Sequence, residues 1–191
     1  LIRTLRTKPA QTIGLNFTAA TIENVQDPNV IPPNLNGWVG SQQYVLMTYN
    51  ILRSFNKSTG LPDGILDCDA TSFFGFSAND VRIAYDRFTQ RWVMTCEGVN
   101  EEGATADLIV AVSNSAVISA TTEWKIFIFT NAQVLPQIRP RGSGELDYQQ
   151  LAIDQNAVYV TMDTFDAQGY FCGTTLLIIY KSSLATNNAV A

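Results

Sequence analysis

The chain has 191 residues, of which 46% are hydrophobic and 15% are charged, and its formal net charge is −5. This composition is too apolar for a disordered chain, and the length suits one domain. The twelve Lys and Arg residues are scattered, which disfavours a nucleic-acid partner, and no apolar run is long enough to predict a transmembrane helix.

The chain is predicted to begin with an extended lead-in over residues 1–36. This lead-in contains one predicted strand, residues 12–18, followed by a stretch rich in Pro and Asn. Those two residue types favour turns and irregular backbone over regular structure. The last segment, residues 185–191, is small and polar, so the folded body is predicted to span residues 37–184.

The predicted folded body contains three successive groups of short apolar strands separated by turns. The first group opens at residues 37–40 and continues with residues 44–49, 51–55, 64–66 and 73–74. The second and clearest group comprises residues 80–86, 91–95, 107–113 and 124–130. The third group lacks a fourth strand and comprises residues 147–153, 157–162 and 174–181. Alternating side chains and β-branched residues dominate these segments, and no window has sustained helical spacing, so the chain is predicted to be all-β.

A four-stranded antiparallel meander of this kind is the unit of a β-propeller blade. The chain holds about three such units, whereas a closed propeller typically has at least about four. We therefore expect the fold to be completed by other polypeptide, either the remainder of a longer propeller or identical subunits. The open sheets would leave Ile126, Ile128 and Ile178 partly uncovered, and the strand at residues 12–18 is free to supply the missing strand of the third unit.

Five segments, in this order along the chain, resemble motifs of a family of secreted bacterial β-propeller proteins. They are residues 34–45, 55–60, 80–92, 147–159 and 171–184. The resemblance implies a propeller fold and a secreted or cell-surface location, and it implies little about activity because members of this family are mostly uncharacterised. The chain departs from the family pattern at Trp38, Gln43 and Gln149, which stand where the pattern has Asp, His and Pro.

Histidine is absent from the chain, which removes Ser-His-Asp and Cys-His nucleophilic systems and the usual zinc ligands. Carboxylates remain as candidate chemical groups. Asp80 and Asp147 are predicted to open equivalent strands of the second and third units, and the innermost strand of a propeller blade lines the central channel. Two carboxylates there suit the acid and base of a glycosidase, while capping of turns is the structural alternative.

Asp63, Asp67 and Asp69 lie in a predicted loop that contains glycine. Carboxylate oxygens bind calcium, so this loop is a candidate calcium site, and the alternative is a solvated acidic turn. No other cofactor is predicted. The three cysteines exclude complete internal pairing. A disulfide between Cys68 and Cys96 is one arrangement that the sequence leaves open, and three buried free thiols are the other.

Two classes of function follow from these patterns. The first is a non-enzymatic extracellular propeller protein with a structural, surface or partner-binding role, for which a glycan or a surface protein is a candidate ligand. The lack of histidine and of a clustered catalytic set favours this class. The second is a carbohydrate-active enzyme that uses Asp80 and Asp147. In either class, Trp92 is predicted to pack in the core between adjacent units.

Overall fold

A computed structural model describes residues 13–24, 34–48, 50–99, 106–135, 144–166 and 168–185. Within these ranges 57% of the residues lie in strands and 11% in helices, which confirms that the chain is all-β. None of the helices in these ranges is long and apolar enough to cross a membrane.

The described strands form three antiparallel sheets, and each sheet is a meander in which every strand pairs with the next one along the chain. The first sheet contains β1 (Asn36–Val39), β2 (Gln43–Thr48), β3 (Ile51–Asn56) and β4 (Pro62–Asp69). The second contains β5 (Ala78–Asp86), β6 (Arg91–Val99), β7 (Ala106–Ser113) and β8 (Trp124–Phe129). The third contains β9 (Glu145–Ile153), β10 (Ala157–Phe165) and β11 (Phe171–Tyr180). The three predicted groups of strands are thus confirmed, with three strands in the last described sheet.

Short helical segments connect or follow the strands. They are a 3-10 turn (Ile22–Asn24), α1 (Ala70–Phe74), α2 (Asn131–Val134) and α3 (Lys181–Ala185). The prediction that residues 73–74 form part of a sheet edge is wrong because they belong to α1. The Asp69 carboxylate accepts a hydrogen bond from the backbone N–H of Ser72 at 2.7 Å, and Gly75 ends the helix with a φ of 79°. Such a cap satisfies backbone groups that a strand would use for pairing.

The second sheet is the middle layer of the structure, and its two faces pack against the two other sheets. One face carries Trp92 and Met94 into a buried cluster with Val45 and Leu52 of the first sheet. The opposite face contributes to a second cluster, shared with the third sheet through Val93, Leu108, Val110, Val158, Val160 and Met162. Side-chain alternation along β6 explains this arrangement, because successive residues of a strand point to opposite faces.

The first strands of the three sheets lie side by side. The backbone N–H of Ile83 in β5 donates to the Asn36 side chain in β1 at 2.7 Å. On the other side of β5, the Arg82 Nε donates to the Gln149 carbonyl in β9 at 2.9 Å. The order β1, β5, β9 therefore forms a common edge along which the three sheets meet.

The N-terminal segment lies on the outer face of the first sheet. Described residues 13–21 have no regular secondary structure, so the prediction of a strand at residues 12–18 is wrong over residues 13–18, and Thr12 lies outside the described residues. The Phe17 ring packs against Phe55, with 5.3 Å between ring centroids, and meets the edge of Tyr44. Because this contact is made by side chains, the segment covers the first sheet without extending the hydrogen-bonded ladder of the third.

The outer face of the third sheet has no such cover from the described part of the chain. Its edge strand β11 presents Leu176, Ile178 and Tyr180, which are 55%, 52% and 65% exposed. On β8, Ile126 and Ile128 are 42% and 56% exposed. The predicted exposure of Ile126, Ile128 and Ile178 is therefore confirmed.

Candidate functional site

The first strand of the second sheet and the first strand of the third sheet each contain a β-bulge at an equivalent position. The pairing register of β5 shifts between Asn79 and Arg82, and that of β9 shifts opposite Thr161 and Asp163. Asp80 and Tyr148 occupy these bulges with φ values of 50° and 54°. Left-handed backbone is uncommon for residues other than glycine, and bulges redirect side chains near functional sites. Asp80 is thus structurally equivalent to Tyr148, which corrects the sequence-based pairing of Asp80 with Asp147 by one position.

Three carboxylates converge where β5, β6 and β9 meet. Asp80 and Asp147 come from β5 and β9, and Glu97 comes from β6. One carboxylate oxygen of each residue lies within 4.8 Å of those of the other two. Asp147 is exposed, Asp80 is half-buried and Glu97 is only 7% exposed. The structure therefore brings together the two carboxylates singled out in the sequence and adds a third.

The sequence did not predict a role for Glu97, because it lies inside a strand and not in a loop or at a strand start. A signal for it exists in the sequence of β6, which reads RWVMTCEGV. Side-chain alternation places Glu97 on the same face as Val93 and Thr95, both of which are buried. A carboxylate at a buried position of an apolar strand is unusual and points to a polar role.

The three carboxylates line a cleft of about 470 Å³. The remaining residues of its wall are Asn34, Asn79, Glu145, Tyr148, Phe165 and Gly169. The Asn34 side-chain amide donates to the Asp80 carboxylate. All four charged residues of the cleft are thus acidic. The cleft is open to solvent at Asp147 and is formed by the second and third sheets together with Asn34, which lies two residues before β1.

Burial and the repulsion between neighbouring carboxylates raise the pKa values of Glu97 and Asp80. Burial, followed by the charges of Asp80 and Asp147, raises the pKa of Glu97 to about 8, against a hydrogen bond from the Tyr148 backbone N–H that lowers it. Burial also raises the pKa of Asp80, and the charge of Asp147 adds to that rise. The Arg82 charge and the hydrogen bond from Asn34 act in the opposite direction and do not reverse the shift at Asp80.

Arg82 is a cation whose charge acts on Asp80, but its hydrogen bond and its ring contact are made with Gln149 and Tyr148. Its Nε donates to the Gln149 carbonyl, and its guanidinium carbon lies 5.2 Å from the centre of the Tyr148 ring. The Gln149 side chain in turn donates to the Asp80 carbonyl at 2.5 Å. In the described ranges the ion pairs are Arg53–Asp67 and Lys181–Asp86, so none of the three carboxylates has an ion-pair partner among the described residues.

The acidic residues singled out for calcium lie apart from this cleft, in β4 and not in the predicted loop. The Asp63 carboxylate accepts hydrogen bonds from Gln43 at 2.7 Å and from Ser54 at 2.5 Å. Asp67 pairs with Arg53 at 2.8 Å, and Asp69 caps α1. Each carboxylate thus has a protein partner of its own, and calcium binding by these three residues stays a prediction.

The cysteines are free thiols in the structure. Cys68 is half-buried, Cys96 is buried and Cys172 is exposed, so the disulfide between Cys68 and Cys96 is not formed. Cys96 belongs to the core between the first and second sheets, where burial raises the pKa of its thiol. It therefore behaves as a small apolar core residue rather than as a nucleophile.

A second cavity, of about 340 Å³, lies between the second and third sheets and contains a buried ion pair. The Lys181 Nζ at the start of α3 is 2.6 Å from the Asp86 carboxylate at the end of β5, and their side chains are 13% and 3% exposed. Apolar residues form much of the remaining wall, including Val93, Val112, Val158 and Leu184. This pair links the two sheets at a place distinct from the acidic cleft.

The fold and the cleft define an all-β protein of stacked antiparallel meanders with a carboxylate cluster between two of them. No protein-family model matches the chain, and neither a curated protein nor a solved structure matches it. The resemblance of five segments to secreted propeller proteins therefore stays a prediction.

Proposed function

We propose that this chain is a non-enzymatic, extracellular β-propeller-type protein with a structural or partner-binding role, whose third sheet packs against a further β-sheet of a longer propeller. The carrying observation is the exposed apolar row on β11, formed by Leu176, Ile178 and Tyr180. Soluble proteins rarely leave large contiguous apolar patches open to water. The low charged fraction of 15%, against about 25% in average globular proteins, supports an exported location.

The way in which the sheets stack supports a propeller-type arrangement. The first strands lie in the order β1, β5, β9, as the innermost strands of successive blades do, and each sheet packs its face on the next. A fourth sheet placed on the outer face of the third would repeat this relation. It would bury the β11 row in the same manner as Val93 and Val110 are buried by the third sheet.

The two outer faces of the stack differ, and this difference favours a longer propeller over identical subunits. Phe17 and the rest of residues 13–21 already cover the first sheet, where Leu46 is 3% exposed. Head-to-tail assembly of identical chains would join the third sheet of one chain to the first sheet of the next. That contact would require residues 13–21 to leave their aromatic contacts with Tyr44 and Phe55.

Concentration-dependent self-association of the 191-residue chain is the expected consequence of its open face. We expect analytical ultracentrifugation at micromolar concentrations to show weak, concentration-dependent association through the β11 face, and Ile178→Glu to reduce it because a carboxylate is then placed in the apolar row. Leu61→Glu is the matched control, since Leu61 is also exposed, at 65%, but lies in a turn of the first sheet. It should leave the association unchanged.

Two outcomes of the sedimentation experiment would overturn the proposal. A compact monomer without concentration dependence would show that the β11 row needs no cover. A tight, closed oligomer that Ile178→Glu dissociates would assign the face to a second copy of the chain instead of a longer propeller.

A second candidate function is glycoside hydrolysis by the carboxylates of the cleft. The observation that favours it is the convergence of Asp80 and Asp147, with Glu97, in an open cleft between two sheets. Retaining glycosidases hold two carboxyl groups about 5 Å apart on either side of the reacting carbon. The carboxylate oxygens of the cleft lie within 4.8 Å of one another, close to this separation, so an assay has to distinguish the two candidates.

A panel of oligosaccharides separates the two candidates. The non-enzymatic proposal expects no hydrolysis by the wild-type protein. Hydrolysis of any member, with a loss of about 100-fold or more in kcat/KM for Asp147→Asn, would overturn it and support the enzyme. Asp67→Asn is the control, because Asp67 is an exposed carboxylate outside the cleft.

A further inference from the structure

Glu97 is the feature of the molecule that the proposed function leaves unexplained. It is 93% buried in the cleft, and its Oε1 has no hydrogen-bond partner among the described residues. The Glu97 carboxylate accepts a hydrogen bond from the Tyr148 backbone N–H. An unpaired carboxylate oxygen away from water is costly, so this carboxylate either holds a proton or binds a cation that displaces the proton.

The neighbours of Glu97 increase this cost. Asp80 and Asp147 each place an oxygen within 4.8 Å, and Glu145 also lies on the wall of the cleft. The Arg82 charge acts on Asp80 without reversing the rise of its pKa, while the Arg82 Nε donates to the Gln149 carbonyl. Within the described ranges, none of these carboxylates is ion-paired, so positive charge from outside the chain is the direct way to offset the repulsion.

The spacing and chemistry of the oxygens select the kind of cation. Calcium binds oxygen ligands at about 2.3–2.6 Å, so ligands on opposite sides of the ion are up to about 5 Å apart. Magnesium, at about 2.0–2.1 Å, limits this separation to about 4 Å. The oxygens of the cluster lie within 4.8 Å of one another, a span that calcium can bridge with its larger and more flexible coordination shell, and a donor set of carboxylates without sulfur or imidazole does not favour zinc.

We propose that Asp80, Glu97 and Asp147 bind a calcium ion that joins the second sheet to the third. Asp80 and Glu97 belong to the second sheet and Asp147 to the third, so one ion contacts both. The exposed side of the cleft, at Asp147, leaves room for the water molecules that complete calcium coordination. This inference is independent of the proposed function, since it depends only on the geometry of the cleft.

Thermal unfolding of chelator-treated protein tests the site directly. We expect calcium chloride at about a hundredfold excess over Kd to raise Tm by about 5–10 °C, because the ion binds the native state and spans two sheets. Magnesium at the same concentration should give a clearly smaller shift. The absence of a calcium-dependent shift and of binding heat at millimolar calcium would overturn the proposal, and an equal shift with magnesium would overturn the assignment to calcium.

Variants locate the ion within the protein. Glu97→Gln and Asp147→Asn are each expected to remove most of the calcium-dependent rise in Tm and to weaken binding at least about tenfold, as each removes a charged ligand. Asp147 is exposed, so Asp147→Asn keeps the test decisive if Glu97→Gln lowers the folded yield. Asp67→Asn is the matched control. A response that survives both cleft variants, or that disappears in Asp67→Asn, would overturn the assignment and favour the acidic residues of β4.

Terbium luminescence gives an independent readout of position. Tb³⁺ replaces calcium at oxygen sites, and the ring of Tyr148 on the cleft wall should sensitise its emission. Tyr148→Phe is expected to reduce the emission excited through tyrosine while leaving the calcium-dependent Tm shift intact, because the backbone N–H of residue 148 is kept. Undiminished emission from Tyr148→Phe would place the ion away from this cleft and contradict the proposal.

Discussion

Replacing Trp92 with alanine is expected to lower the free energy of unfolding by about 3–5 kcal/mol, the range for loss of a large buried side chain. Trp92 is fully buried between the first and second sheets, and its ring lies 5.1 Å from that of Tyr85. Its indole N–H donates to the Ala116 carbonyl at 3.2 Å. The ring also fills the space over Gly40, where a Cβ atom would lie 2.4 Å from it, so alanine at position 92 would leave a cavity.

Denaturant unfolding followed by far-ultraviolet circular dichroism measures this loss without depending on tryptophan fluorescence. Trp38→Ala is the matched control, because Trp38 is the same residue type on β1 but is 42% exposed. It should cost less than about half as much, since the transfer free energy scales with the apolar area buried. An unchanged midpoint for Trp92→Ala would contradict its position in the core.

Replacing Asp86 with asparagine is expected to destabilise the protein by about 3–5 kcal/mol, because removal of one partner leaves a buried charge uncompensated. The partner is Lys181, whose Nζ lies 2.6 Å from the Asp86 carboxylate. Asp67→Asn is the control, since the Arg53–Asp67 pair is on the surface and such pairs contribute at most about 1 kcal/mol. Equal losses of unfolding free energy in the two variants would show that the buried pair contributes no more to stability than the surface pair.

Acid titration of stability gives a second test of the Asp86 pair. Burial by itself would raise the pKa of Asp86, but hydrogen bonds from Lys181, Thr89 and the Phe88 backbone outweigh it and hold the pKa below its ordinary value. The folded pKa is therefore lower than the unfolded one, which is about 3.9. The stability that it contributes is fully present above the unfolded pKa and is lost as the pH falls through the folded value. Asp86→Asn should lack this part of the acid-induced loss.

The strands were predictable from the sequence because local patterns determine them, whereas the site depends on contacts between sheets. The alternation in β6 gave both the strand and the burial of Trp92. Glu97 lies in the same strand, yet its role appears only when Asp80 and Asp147 arrive from two other strands. No local pattern encodes that distance.

Two errors have particular physical causes. Asp80 and Asp147 were aligned with each other because both are acidic, but the left-handed backbone of Asp80 and Tyr148 shows that the bulges align these two residues. Residues 13–18 alternate as a strand does, and the same alternation serves a segment that presents Phe17 to the aromatic pair Tyr44 and Phe55. Periodicity reports which side chains share a face, and it does not report whether backbone pairing accompanies them.

The cover that residues 13–21 place on the first sheet gives the stack a polarity. In solenoid proteins a terminal repeat with a closed outer surface stops the array at that end, so new repeats are accepted only at the other. Among the described residues, the contacts of Phe17 cover one end of the stack of three sheets, and the row at Ile178 leaves the other end uncovered. We therefore expect the further sheet proposed above to dock on the third sheet, and the side-by-side arrangement of β1, β5 and β9 to set which of its edges faces inward.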